Sequence, residues 1–290
     1  MLIERIWSGN AYRNFHYLIA CPQTGEALAV DPLEWQLCLN TARQKGWTIT
    51  QILNTHEHLD HTGGNQGLVG ATGAKVLAHA GAASRIGGVD QGLGKGDVIR
   101  VGRTLELECL DTPGHTMAHI CLLGHGDQPA LFCGDTLFNA GAGNCHSGGH
   151  PESLYDTFVT QLARLPDQTR VFPGHEYLAR NLQFTLDREP DNAAARAPGR
   201  GAGTGADHQY HHDTGTGETD QHVLPTPESE CDRRAARRIP RPGGASRRPH
   251  RVCEVARVAQ PLVTVPGNTA LAGDSCPELA RGRSILVSPP

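Results

Sequence analysis

Thirteen of the fourteen aromatic residues lie before position 197, and that asymmetry limits where this 290-residue chain can build a core. All three lysines, Lys45, Lys75 and Lys95, also fall in the first 196 residues. The last 94 residues hold 12 Arg, 11 Pro and 11 Gly, and only 14 of them are Leu, Ile, Val or Phe. Such a segment buries too little apolar surface to offset the entropy of ordering it. One folded domain over residues 1–196 and a largely disordered tail over 197–290 are therefore expected. A formal net charge of −4 gives no general attraction to nucleic acid or anionic membrane, and neither is an expected partner. The tail's 12 Arg face 10 acidic residues, so its charge does not change this. No stretch approaches the roughly 20 apolar residues of a membrane span. The start Met1-Leu2-Ile3-Glu4 lacks a signal-peptide pattern. Nine cysteines without a Cys-x-x-Cys pair suit free thiols. The expectation is a cytoplasmic monomer.

Strands alternate with helices along the first 196 residues. Apolar runs at 17–21 and 27–30 flank Pro22-Gln23-Thr24-Gly25, a hairpin pattern. Residues 33–45 carry a helical period closed by Gly46. Strands are expected at 48–53, 74–79, 104–110, 119–123 and 130–133, and helices at 151–165 and 178–188. Polar motifs stand just after several strand ends, which suggests a layered α/β fold with its site along one edge of the sheets.

The densest motif is His56-Glu57-His58-Leu59-Asp60-His61. These residues cannot share one helical face, but in a loop after a strand they can fan out and face inward. Imidazole and carboxylate suit Zn, Fe or Mn. Gly63-Gly64-Asn65 follows, where the chain can turn tightly into a helix. Three later residues match the cluster: His115 in Pro-Gly-His-Thr, Asp135 in Cys-Gly-Asp-Thr and His175 in Pro-Gly-His-Glu, each directly after a glycine. His79, His119, His125 and His150 read as ordinary core or surface residues, and His16 has no assigned role. Cys133 and Cys145 read as packing residues.

In this order and spacing, T-H-E-H-L-D-H, P-G-H-T, G-D-T-L-F and P-G-H-E-Y make residues 1–196 resemble the metallo-β-lactamase superfamily. Within it the resemblance is to the glyoxalase II, or hydroxyacylglutathione hydrolase, branch. It implies an αββα sandwich with a binuclear metal site between the sheets. His56, His58 and His115 would hold one divalent ion, Asp60, His61 and His175 a second, and Asp135 would bridge them. Zinc is the first expectation, with iron or manganese as alternatives. The implied reaction is hydrolysis of a small-molecule glutathione thioester such as S-lactoylglutathione, a step of methylglyoxal detoxification. A hydroxide bridging two ions about 3.5–4 Å apart would be the nucleophile, because the shared ions lower the pKa of water. Asp60 gains a second role as proton acceptor.

Tyr177 matches a tyrosine that contacts glutathione in that branch. The branch continues G-D-T-L-F with G-C-G-[RK]-x-[FY]-E-G-T, whereas here Asn144 stands in place of the cation and His146 in place of the aromatic. Both are candidate substrate contacts, and their identity bears on glutathione specificity. A lactone or β-lactam hydrolase and a mononuclear-iron persulfide dioxygenase are the competing readings. The complete set Asp60, His61 and His175 speaks against the latter.

The branch also has a C-terminal segment like T-L-G-R-E-K-x-x-N-x-F-x-R, absent here in the reading frame as it stands. Dropping one nucleotide from codons allowed at 208–228 permits T-S-T-T-T-T-L-G-R-E-K-Q-I-N-T-F-F-R-L-R. Segments 198–207 and 253–264 agree in the same frame. The tail is therefore expected to be out of frame from near Ala197, and the product impaired in substrate binding.

Overall fold

A computed structural model of the chain describes residues 1–196. The expected tail and its out-of-frame reading lie outside the described residues.

Two sheets face each other. The first runs in chain order: β1 (Leu2–Trp7), β2 (Phe15–Ala20), β3 (Glu26–Val30), β4 (Thr48–Asn54), β5 (Lys75–His79) and β6 (Gln91–Leu93). The second is built from β7 (Val98–Val101), β8 (Leu105–Asp111), β9 (Ile120–Gly124) and β10 (Ala130–Gly134). After the short ribbon β11 (Leu137–Phe138) and β12 (Gly141–Ala142), β13 (Arg170–Pro173) adds to the far edge, parallel to β10. Helices α1 (Trp35–Lys45), α2 (Leu59–Thr62) and α3 (Asn65–Thr72) lie in the connections of the first sheet. Helix α4 (Pro151–Thr160) follows the ribbon, and α5 (Leu178–Arg188) and α6 (Ala193–Arg196) follow β13.

Alternation along the strands explains the layers. On β9, Ile120 and Leu122 enter the core between the sheets, while Cys121 and Leu123 join Leu154 and Phe158 of α4 on the outer face. On β2, Phe15, Tyr17 and Ile19 point to the central core, and Leu18 joins Cys38 and Ala42 of α1 outside. The result is the αββα sandwich of the expected α/β class. Phe132 stacks on Phe172 with centroids 4.8 Å apart and meets the edge of Tyr17 at 5.5 Å. A buried aromatic of this size is worth about 3–5 kcal/mol against alanine.

The hairpin forms as read, with Tyr17 opposite Val30 and Ala20 opposite Ala27. Helix α1 starts at Trp35 rather than 33, because the Glu34 N–H is taken by His16 Nε2 and its backbone is not helical. Helix α4 stops at Thr160, and a separate 3₁₀ turn, Leu162–Arg164, completes the span expected to be one helix. There the Gln161 side chain turns to the Asp111 carbonyl at 2.6 Å. Strands β1, β6, β7, β11, β12 and β13 were not among those expected; all are short or interrupted by charged or polar residues, and β7 shows its apolar side only as the alternating Ile99 and Val101. All six described cysteines are free, and no helix of the described residues is long and apolar enough to cross a membrane.

Candidate metal centre

Four strand ends converge at one edge of the sandwich. Beyond β4 come Thr55 and His56, beyond β8 comes His115, beyond β10 comes Asp135 and beyond β13 comes His175. Main-chain bonds tie these ends together: Ile120 N–H to Thr55 O at 2.8 Å, Gly174 N–H to Gly134 O at 2.8 Å, and Phe15 N–H to Gly174 O at 2.8 Å. The histidine-rich motif is not all loop. His56 and His58 lie in the turn, while Asp60 and His61 sit on the one-turn helix α2.

The glycines before the ligand candidates have a steric reason. Gly134 adopts φ 45°, and a Cβ there would come within 2.4 Å of Thr55 Oγ1. A Cβ on Gly174 would lie 2.4 Å from Asp135 Oδ1 and fill the space among the candidate ligands.

Every expected ligand lies in this cluster. Ligand atoms of His56, His58 and His115 lie within 4.8 Å of one another, as do those of Asp60, His61 and His175. Asp135 touches both groups: Oδ2 is 3.2 Å from His175 Nε2 and 3.6 Å from His115 Nε2, and Oδ1 is 3.5 Å from His61 Nε2.

Hydrogen bonds fix which ring nitrogen of each neutral imidazole is free. His115 Nδ1–H donates to Asn144 O at 2.7 Å, His58 Nε2–H to Ser147 O at 2.9 Å, and His175 Nδ1–H to Tyr12 O at 2.7 Å. These partners only accept, so the opposite nitrogens carry lone pairs. His61 Nδ1–H donates to Asp31 Oδ2 at 2.9 Å. Thr55 gives its hydroxyl proton to the same oxygen at 2.7 Å, so its Oγ1 accepts the Nδ1–H of His56 at 3.0 Å. In their neutral, metal-binding forms the five rings would therefore turn lone pairs inward. His58 Nδ1 stands 3.0 Å from His56 Nε2 and 3.1 Å from His115 Nε2, and His61 Nε2 stands 3.2 Å from His175 Nε2. Lone pairs this close repel unless a cation lies among them. Nitrogens bound tetrahedrally to zinc stand about 3.3 Å apart at the usual bond lengths. Asp135 Oδ1 is buried with no hydrogen-bond partner, a further donor atom that a cation would satisfy. The donor set fits a metal centre in which each ligand is oriented from behind.

The two groups differ electrically. Burial pushes the His56 and His115 pKa values down. Burial also opposes charge on His61, but Asp135, Asp31 and Asp60 outweigh it and raise its pKa to about 10. His175 is raised likewise, with Asp135 overcoming burial. Burial opposes charge on Asp135 too, yet His175 and His61 hold its carboxyl well below the usual range.

Asp31 is the residue that motif reading missed. It accepts from Thr55 N–H at 2.8 Å, from the Thr55 hydroxyl and from His61, and so holds one histidine of each group. An acidic residue directly after the buried strand β3 was its only signal. Asn14 donates to the Asp60 carbonyl at 3.2 Å and to Asp60 Oδ2 at 3.4 Å. Arg13 pairs with Glu176, which joins the β1–β2 loop to the His175 segment. His119, read as ordinary, is wholly buried against the centre. His16 is buried too, its Nδ1 2.6 Å from the Asp31 carbonyl.

Tyr177 lies parallel to the His175 ring at 5.0 Å, and its hydroxyl donates to Tyr12 O at 3.2 Å. Burial, with Asp135 and Asp60, pushes that hydroxyl up to about 12, so it stays protonated. The Asn144 side chain turns onto its own loop, where Oδ1 accepts the His146 N–H at 3.1 Å. His146 is exposed.

Residues 23–175 match the metallo-beta-lactamase superfamily. A hydroxyacylglutathione hydrolase of Polaromonas sp. (strain JS666) is 70% identical over 197 residues, which cover 68% of this chain and 75% of that protein. Another, from Nitrosococcus oceani, is 63% identical with the same two coverages, 68% and 75%. Among solved structures, ETHE1 from Myxococcus xanthus is similar with a TM-score of 0.56 and 34% identity, over 61% of this chain and 76% of that one.

Proposed function

This chain belongs to the metallo-beta-lactamase superfamily, and within it to the hydroxyacylglutathione hydrolase family; on that premise we propose that it hydrolyses glutathione thioesters of the S-lactoylglutathione type. In this reading it holds two divalent ions, zinc first among them, and works as a cytoplasmic monomer on a small-molecule substrate. The observation that carries it is the inward convergence of five histidine lone pairs and the Asp135 carboxylate.

His56, His58 and His115 would hold the first ion, Asp60, His61 and His175 the second, and Asp135 would serve both. Such a pair of ions supplies a nucleophilic hydroxide at neutral pH and stabilises negative charge developing on the substrate oxygen. The protein's residues set the geometry. Asp31, Tyr12 O, Asn144 O and Ser147 O hold the rings in one tautomer. Asp60, steadied by Asn14 and the most solvent-accessible of the candidate carboxylates, would accept the proton released by water. The full second ligand group supports two ions and speaks against the mononuclear reading. The test is hydrolysis of S-lactoylglutathione measured beside that of a lactone. Faster lactone turnover would replace the proposed substrate while keeping the metal chemistry.

The two ions are expected to respond differently to pH. Without an ion, Asp135, Asp31 and Asp60 favour a second proton on His61, and an ion entering the second group must displace it to reach the Nε2 lone pair. Its apparent affinity therefore rises with pH, about tenfold per unit for each proton displaced. Burial already favours the neutral forms of His56 and His115, so these two ligands of the first group add little pH dependence there. Titration with the metal at pH 6 and pH 8 should show uptake by the second group strengthening with pH, and more steeply than uptake by the first. Equal steepness for both would contradict the assignment.

Tyr177 is proposed as a substrate contact. Its hydroxyl proton is committed to Tyr12 O, which leaves its lone pairs to accept from a substrate amide N–H. Removing one hydrogen bond costs about 0.5–1.5 kcal/mol, so Tyr177→Phe should raise KM about 2- to 12-fold with kcat unchanged. Asn144 and His146 are proposed to contribute less: the Asn144 side chain shapes its loop, and as an amide it offers a substrate carboxylate no positive charge. The domain reading, with functional sequence to 196 and an out-of-frame remainder, is likewise proposed. Coding DNA that does not give the T-L-G-R-E-K segment in the shifted frame at 208–228 would refute it.

A further inference from the structure

His119 is a buried histidine packed directly on the candidate ligands. It belongs to neither ligand group, yet its ring lies nearly parallel to His56, with centroids 5.2 Å apart and planes at 20°. It also meets the edge of His115 at 6.4 Å. Its two nitrogens are spoken for. Nε2 accepts the main-chain N–H of Asp135 at 3.3 Å. Nδ1 must then carry the ring proton, and it faces Thr112 Oγ1 at 2.9 Å and Thr136 Oγ1 at 3.2 Å. The ring is wholly buried, and burial holds it neutral. A Cβ on Gly134 would come within 2.9 Å of Nε2, so glycine there is what lets the ring approach the Asp135 main chain.

From this arrangement we infer that His119 is a positioning residue for the reaction: it fixes the Asp135 main chain while its face supports the His56 ring. A flat ring with an acceptor on one edge and a donor on the other meets both demands. Phenylalanine keeps the face but leaves the Asp135 N–H without an acceptor. Glutamine keeps an acceptor near the position of Nε2 but not the ring. Because Asp135 is the carboxylate that reaches both ligand groups, a shift of its main chain changes the geometry of the whole centre without removing a ligand.

The inference rests on the proposed binuclear centre, and its test separates the two. Cobalt(II) is loaded into the wild type, His119→Phe and His119→Gln, and the ratio of cobalt to protein, the visible spectrum, kcat, KM and the metal-free unfolding midpoint are recorded. Both variants should still take up two cobalt ions. His119→Phe should show altered ligand-field bands and a kcat lower by about 10- to 100-fold, the range typical when a group behind a metal ligand is lost. KM should stay within twofold, and His119→Gln should recover part of kcat through its acceptor. An unchanged spectrum and kcat in His119→Phe would overturn the inference. So would equal losses in both variants that follow their unfolding midpoints, which would make the role merely structural. A wild type that takes up fewer than two cobalt ions would instead remove the proposed centre itself.

Discussion

Asp135→Ala is expected to lose about 1,000-fold or more in kcat/KM for a glutathione thioester and to fall below two bound ions per chain. The carboxylate lies between the candidate ligand groups, Oδ2 3.2 Å from His175 Nε2 and 3.6 Å from His115 Nε2, and Oδ1, 3.5 Å from His61 Nε2, has no hydrogen-bond partner. His175 and His61 keep it ionised against the cost of burial. The Lewis-acid contribution of such a centre is worth several kcal/mol, and each 1.36 kcal/mol is tenfold in rate. Asp135→Asn should do nearly as badly. It keeps the shape but removes the charge that faces two histidines whose pKa values it raises. Thioester kinetics with elemental analysis of the same samples checks both variants. Full activity in either would show that the carboxylate does not bridge.

Asp31→Asn is expected to weaken both ions together, by about 10- to 100-fold in affinity. The carboxylate accepts three protons, from Thr55 N–H, the Thr55 hydroxyl and His61 Nδ1. An amide has one oxygen, so its NH₂ would face a donor. Asparagine tolerates the left-handed backbone at this position, where φ is 49°, so the substitution isolates the lost acceptor from backbone strain. Competition with a chelator of known affinity measures the effect. Loss of one ion alone would contradict the relay from Asp31 through Thr55 to His56.

The clustering of the candidate ligand side chains was legible in the sequence because each stands in a short motif with its own steric signature. Gly134 and Gly174 precede Asp135 and His175 because a side chain there would strike Thr55 or Asp135 itself. The layered fold was legible because β2, β9 and β10 are buried on both faces and read as continuous apolar runs. The orienting acceptors were not legible. Tyr12 O and Ser147 O are main-chain atoms, brought to His175 and His58 across 163 and 89 residues of sequence. A carbonyl carries no residue identity, so only the tertiary approach shows it. His119 gave no sign of its place against the centre, because its stacking on His56 appears only in the tertiary structure, and the edge strand β1 was missed because only Ile6 along it is buried.

The most direct measurement is metal content and thioester hydrolysis on one preparation of the full chain. Two divalent ions per chain are expected, with S-lactoylglutathione hydrolysis that stops on chelation and returns when zinc is restored. A chain that binds two ions and leaves the thioester intact, or that hydrolyses it equally well after chelation, would contradict the account.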